Sequence, residues 1–230
     1  MQRNLNTVVK RSSSTTNGGI IVTNSVIKNT YMLLSITLLF SAATAFLSSI
    51  TNALPIGYGP CLLINFGLIY LVGALRNSAW GILAVFLFTG FFGYTLGPII
   101  NMVLHNYVNG AEILAASLGL TGAIFFGLSC YAMASHKDFS YLGGFLFSAI
   151  TVAIVASFMS IIMNIPALYL LISCAFVLIA SGMILFETSQ IINGGQTNYI
   201  LATVTLYVQI YNLFLSLLQI LMAFSGRQRN

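Results

Sequence analysis

Acidic side chains are almost missing from this sequence, with three Asp and Glu in 230 residues against eight Lys and Arg. Charged residues make up 5% of the chain, where a soluble domain carries about 25%. A chain so poor in charge cannot cover a globular surface with solvated groups, which excludes a soluble fold. Apolar residues at 58% and a mean hydropathy of +0.97 specify an all-α, polytopic membrane protein. At roughly 20 residues per span there is room for about seven helices and no soluble catalytic domain. The five excess positive charges are scattered over tails and short loops, which suits anionic lipid headgroups and not nucleic acid.

The same scarcity removes most enzyme chemistry. Cys61, Cys130 and Cys174 lie far apart inside or beside apolar runs, without metal or redox spacing, and are expected to be small buried residues. His105 and His136 fall in different connecting segments, so they form no helical ligand pair and serve no intramembrane serine nucleophile. Glu112 and Asp138 sit at loop boundaries and are expected to be solvated. That leaves Glu187 alone at depth, whereas an intramembrane aspartyl site needs two close acids. Neither a phosphate-binding glycine loop nor a His-Glu-x-x-His pair occurs. No enzyme activity, cofactor or metal is expected.

Seven apolar runs are present: about Tyr31 to Ile50, Cys61 to Leu75, Ala79 to Ile100, Ile113 to Ala134, Leu142 to Met163, Ala167 to Ile192 and Tyr199 to Phe224. Residues 1–28, including Arg11-Ser-Ser-Ser-Thr-Thr-Asn-Gly-Gly19, are too polar to fold alone. They are expected to form a disordered cytoplasmic tail, followed by a bundle over 29–226 and a C-terminal tail over 227–230. Ala43-Thr44-Ala45 resembles a signal cleavage site, but the apolar run continues past it and its basic lead is too long. Gly97-Pro98 should kink or stop the third span, and Gly194-Gly195 should end the sixth. Small residues every fourth position, Ala115, Gly119, Ala123 and Gly127 in the fourth span and Gly93 with Gly97 in the third, predict close helix packing at both.

Arg3, Lys10, Arg11, Lys28, Arg76 and Lys137 fall on one side of the spans, and the positive-inside rule makes that side cytoplasmic, the N-terminus included. Seven crossings then put Arg227 and Arg229 outside, against the bias. Six crossings with a re-entrant last segment is the alternative. Seven is preferred, because Tyr199 to Phe224 is long enough to cross and its Leu, Ile and Phe faces suit lipid.

That last segment carries a small and polar stripe: Asn198, Ala202, Thr205, Gln209, Asn212, Ser216 and Gln219, at alternating spacings of four and three. All seven share one helix face, and lipid cannot satisfy their amides, so this helix belongs at the centre of the bundle. Glu187 lies five residues inside the end of the sixth run, roughly 8 Å deep. An acid facing lipid there costs about 2.5 kcal/mol or more. An interior position near Arg76 and the stripe is preferred over an interfacial one. There it would serve as a pH-sensing or gating group, with Asn198, Thr205, Asn212, Ser216 and Gln219 as a polar path.

The segment Phe186-Glu-Thr-Ser-Gln-Ile-Ile-Asn-Gly-Gly-Gln-Thr-Asn-Tyr-Ile200, then Leu206-Tyr-Val-Gln-Ile-Tyr-Asn-Leu-Phe214, resembles the signature of the Bax inhibitor-1 family, as does Gly93-Tyr-Thr-Leu-Gly-Pro98. Within it, the Asn-Gly-Gly turn and the Leu-Tyr-Val-x-x-Tyr-Asn core are most similar to the bacterial YccA-like branch. The resemblance implies a seventh helix surrounded by the other six, in the bacterial inner membrane. It implies an integral membrane regulator that binds and modulates the FtsH-type ATP-dependent membrane protease, which pulls substrates in by a cytoplasmic end. Other family members imply the alternative, a pH-sensitive calcium leak in which acids of helices six and seven share a proton and an Arg of helix two assists closure. Those positions match Glu187, Gln209 and Arg76. Because Gln209 does not titrate, the coupled carboxylate pair is absent here, which weakens the leak reading without removing it. A non-conducting scaffold protein is a third reading.

Overall fold

The computed structural model describes the side chains of residues 25–57, 59–135, 137–160, 162–163, 165, 167–224 and 227, and the backbone of 2–24, 58, 161, 166 and 225. The chain folds as seven helices, α1 (Gln2–Ile50), α2 (Tyr58–Leu75), α3 (Trp80–Asn106), α4 (Gly110–Ser135), α5 (Leu142–Met163), α6 (Pro166–Ile192) and α7 (Tyr199–Ser225). Among the described residues six stretches are long and apolar enough to cross a bilayer, beginning with Ser25–Ile50, while α2 offers the shorter Gly59–Leu75. The expected tail over residues 1–28 lies mostly outside the described side chains, as do His136 and Arg229.

Hydrogen bonds at the helix ends establish the alternation of direction. At one end Asn198 donates to the Arg76 carbonyl at 3.0 Å, Ser189 donates to the Lys137 carbonyl at 3.1 Å, and Tyr31 pairs with Thr188 at 3.2 Å. At the other, Asn101 donates to the Ser49 carbonyl at 2.8 Å, and Arg227, just past α7, meets the α3–α4 loop, its N–H donating to Asn109 Oδ1 and its carbonyl accepting from the Val108 N–H. The segment from Tyr199 onward therefore begins at the Arg76 end and finishes at the Asn109 end, as one uninterrupted helix. It crosses, and the re-entrant alternative is set aside. Lys28, Arg76 and Lys137 share an end, as the positive-inside rule requires.

In α7, 61% of the most apolar stretch is buried, against 11% in α5. The central helix touches α1, α2, α3, α4 and α6, whereas α5 rests on α6 alone; five helices surround α7, not six. Leu206, Leu213, Phe214 and Leu218 are buried alongside Ala202, Gln209 and Ser216. The apolar faces expected to meet lipid thus meet protein, because a helix enclosed on every side has no lipid face.

The tightest packing joins α1 to α3. A Cβ at Gly93 would strike Thr44 and the Ser41 carbonyl, and one at Gly97 would strike Ser48. Pro98 does not stop α3, which continues to Asn106. Pro98 cannot donate to the carbonyl of Tyr94, one turn back, and Ser48 Oγ donates to that oxygen instead at 2.8 Å. The partner helix thereby satisfies the group that proline frees.

The other small-residue ridge is misplaced in the sequence reading. Ala115, Gly119, Ala123 and Gly127 are exposed, and a Cβ at Gly119 or Gly127 would meet nothing. The packed face of α4 is the parallel row Ile113, Ser117, Thr121, Phe125 and Ser129. Ser117 and Thr121 return their hydroxyls to Ile113 and Ser117 carbonyls, both at 2.7 Å, so a polar row packs there without interhelical partners. Cys130 and Cys174 are likewise exposed, not buried as expected. The glycine pair does end α6: Gly194 adopts φ 76° just past Ile192, the left-handed conformation glycine adopts without strain.

Candidate functional site

Glu187 is half-buried near the Arg76 end of α6, between Phe186 and the fully buried Thr188. Its neighbours are engaged: Thr188 meets Tyr31, and Ser189 also accepts from the Phe139 backbone at 3.0 Å and from Asn193 at 3.1 Å. Among the described residues Glu187 itself has no hydrogen-bond or ion-pair partner. Arg76, expected beside it, is exposed and caps α2; its carbonyl holds α7, and its guanidinium forms no ion pair with Glu187. Gln209 is buried at 8% exposure, also without a hydrogen bond among the described residues.

The Ser173–Gln219 hydrogen bond at 2.6 Å sets the antiparallel register of α6 against α7. Glu187 lies fourteen residues after Ser173 and Thr205 fourteen before Gln219, so those two are level. Gln209 is about one turn, roughly 5.4 Å, deeper. The three predicted site residues share a helix pair or an end, but no bond joins them.

The polar stripe divides by role. Asn198 is the N-cap of α7: its Oδ1 accepts from the Ile200 and Leu201 N–H groups at 3.0 and 3.2 Å, while its Nδ2 donates to Arg76 and to Asn77. Asn198→Ala is expected to cost about 0.5–2 kcal/mol, read as a lower melting temperature of detergent-solubilised protein. Gln219 ties the far end, accepting from Ser173 and donating to Tyr169. Thr205 returns its hydroxyl to the Leu201 carbonyl at 3.0 Å. Asn212 and Ser216, like Gln209, have no hydrogen-bond partner among the described residues. The stripe is anchored at its ends and unpaired in its middle.

Sequence reasoning missed the aromatic centre of α7. Tyr207 is 2% exposed; its hydroxyl donates to the Thr89 carbonyl at 3.2 Å and so accepts from Ser41 at 2.5 Å. Phe88 and Phe92 stand edge-on to its ring at 6.1 and 6.0 Å, and Tyr211 pairs with Thr95 at 3.1 Å. The only available signal was the Tyr207/Tyr211 spacing of one turn within the quoted core motif. Beyond this cluster, toward the Asn109 end, lies a cavity of about 750 Å³ between α1, α3, α4 and α7, with Tyr207 and Ser41 in its floor. Glu187 does not line it. Among the described residues no group of His, Cys, Asp and Glu could hold a metal ion.

The two other acids, at loop boundaries, are solvated. Glu112 is exposed in the first turn of α4. Asp138 accepts from the Ser140 hydroxyl and backbone N–H, which hold its carboxyl below the usual range.

A family model described as inhibitor of apoptosis-promoting Bax1 matches residues 23–226. An uncharacterized protein of Pseudomonas aeruginosa is 48% identical over 86% of this chain and 88% of its own length. The Escherichia coli protein named modulator of FtsH protease YccA, also named inner membrane protein YccA, is 46% identical over 91% of this chain and 95% of its own. An uncharacterized membrane protein of Vibrio cholerae is 43% identical over 86% and 89%. With its helical bundle, its apolar spans and these relatives, the chain is an inner-membrane protein and belongs to the Bax inhibitor-1 family.

Proposed function

We propose that this protein binds and modulates an FtsH-type ATP-dependent membrane protease. The observation that carries the reading is its 46% identity, over nearly the whole of both chains, to the relative named for that role. In this reading residues 1–28, which continue α1 as helix from Gln2, form the cytoplasmic segment that the protease engages and unwinds, at the end that also carries Arg76 and Lys137. The test is co-purification of the protease from membranes with the tagged full chain and with a chain lacking residues 1–25, alongside the decay of a membrane substrate. The full chain is expected to retain the protease and slow the decay, and the deletion to relieve it severalfold. No co-purification with the full chain would sink the reading; a deletion that changes neither would sink the tail mechanism.

A second reading, a pH-sensitive calcium or cation leak, is favoured by one feature: a half-buried carboxyl with no partner among the described residues at one end and a cavity at the other. Calcium efflux from proteoliposomes across a pH series, natural chain against Glu187→Gln, decides it. Flux whose pH dependence disappears in the variant would establish the leak. None above empty vesicles would exclude it.

A further inference from the structure

The cavity beyond Tyr207 has a side opening and a lining that a path for ions does not require. Its walls come from α1 on one side and α4 on the other, through residues such as Ala42, Phe46, Leu114 and Leu118, with Leu104 and Phe214 behind. Among the described residues the backbones of α1 and α4 do not come into contact. At the Arg76 end the Tyr31–Phe125 ring pair, 6.2 Å apart, closes the seam between them. Toward the Asn109 end no such pair is present among the described residues, and the seam lies within the spans Ser25–Ile50 and Gly110–Ser135, at the depth of the hydrocarbon.

The lining chemistry is graded. Apolar side chains form most of the walls; polar groups gather at the outer rim, where Asn52, Asn101 and His105 meet, while the deeper hydroxyls of Ser41, Thr121, Tyr207 and Tyr211 are already hydrogen-bonded within the protein. Asn101 is occupied, donating to the Ser49 carbonyl and to Asn52 Oδ1 and accepting from Ser49 Oγ. His105 Nδ1 lies 2.9 Å from the Asn101 carbonyl, which only accepts, so Nδ1 carries the proton and Nε2 is left free. The Asn52 amide nitrogen is also free among the described residues. Arg227 is exposed at this same end, with Glu112 as the acid on that side.

About 750 Å³ falls within the usual range for ligand sites, roughly 300–1,000 Å³. Its walls offer water few partners, and a void would forfeit dispersion contacts along its whole length. The seam faces hydrocarbon. We propose that the cavity is a lipid site: one acyl chain of an outer-leaflet phospholipid enters between α1 and α4, its phosphodiester accepts from the Asn52 amide at the rim, and a hydroxyl or ammonium of its headgroup donates to His105 Nε2.

The test reconstitutes the full chain in phosphatidylethanolamine and phosphatidylglycerol vesicles containing a trace of phosphatidylglycerol with a photoactivatable diazirine in its tail. After irradiation, peptide mass spectrometry compares adducts on Phe46, Leu104 and Leu118 with adducts on Phe147 and Val152, exposed residues of the peripheral α5. Cavity adducts are expected to exceed those on α5 about tenfold, as for a site with 1.4 kcal/mol of preference over bulk lipid. Ala42→Trp, which fills the cavity from an exposed position, should bring them to the α5 level while α5 labelling stays constant. Leu118→Trp fills it from the opposite wall and repeats the test should the first variant misfold. Equal labelling of cavity and α5, or cavity labelling untouched by both fillings, overturns the proposal. So does labelling by a diazirine fatty acid alone, which would make the ligand a free acid, or loss of cavity adducts when the membrane protease is co-reconstituted, which would assign the cleft to a partner's helix.

Discussion

Gly93→Leu is expected to prevent assembly of the bundle, while Gly119→Leu, the same change in the same kind of sequence pattern, leaves it folded. At Gly93 the first added carbon already collides with the Ser41 carbonyl and with the Thr44 and Ser41 hydroxyls. The obstruction includes backbone, so no rotamer change relieves it, and α1 would have to move off α3 along the most extensive helix contact in the protein. Overpacking ordinarily costs about 1–3 kcal/mol and more when backbone must shift. The gain in helix propensity on replacing glycine is about 1 kcal/mol and does not offset it. At roughly 2–4 °C per kcal/mol for a chain of this size, even Gly93→Ala should melt measurably lower. A Cβ at Gly119 meets nothing, so there the propensity gain stands alone. Thermal unfolding of detergent-solubilised protein, read by size exclusion after heating, compares the two. If Gly93→Leu melts with the natural chain, α1 and α3 do not approach as described.

That pair of substitutions also marks how far the sequence could be read. The number and order of helices were legible because each apolar run is bounded by turn chemistry, and the Asn193-Gly194-Gly195 stop needed only the permissive backbone of Gly194. The central position of α7 was legible from its polar stripe, since hydrocarbon satisfies no amide. Which ridge of α4 packs was not. Ala115, Gly119, Ala123 and Gly127 run parallel to Ile113, Ser117, Thr121 and Phe125 with the same period, and periodicity cannot say which row meets protein. On α3 the glycines were read correctly because α1 brings Ser41, Thr44 and Ser48 against them, a match between helices that lies outside any one segment. The proposed meeting of Glu187 with Arg76 and Gln209 rested on resemblance and on depth along the helix. Depth is legible from residue counts; the direction a long side chain takes is not. The cavity was invisible for a stronger reason, as it depends on how far apart α1 and α4 stand beyond the Tyr31–Phe125 pair.

Tyr207→Ala is expected to be the most damaging single truncation in α7, and Tyr207→Phe to be mild. The tyrosine is the largest side chain in the fully buried core, and it closes the floor of the cavity while Phe88 and Phe92 pack against its ring. Removing a buried aromatic costs about 3–5 kcal/mol, because surrounding helices collapse only partly into the space. Dispersion packing is what holds helices together where lipid competes equally for apolar surface. A loss of that size lowers the melting temperature by roughly 6–20 °C at 2–4 °C per kcal/mol. The hydroxyl contributes less: interhelical hydrogen bonds inside membranes average about 0.6 kcal/mol, and Ser41, the donor that Tyr207→Phe would leave unpaired, lines the cavity floor, where an incoming water could take its proton. Thermal unfolding of both variants separates the ring from its hydroxyl. Equal damage by Phe and Ala would mean that the Ser41–Tyr207–Thr89 chain of hydrogen bonds, and not the ring, fixes α7 between α1 and α3. A mild Phe and a severe Ala place the stability in packing, and they predict a second consequence. With the ring gone, the floor between the outer cavity and the level of Glu187 and Thr205 opens, so any ion flux seen with the natural chain should rise in Tyr207→Ala and stay unchanged in Tyr207→Phe.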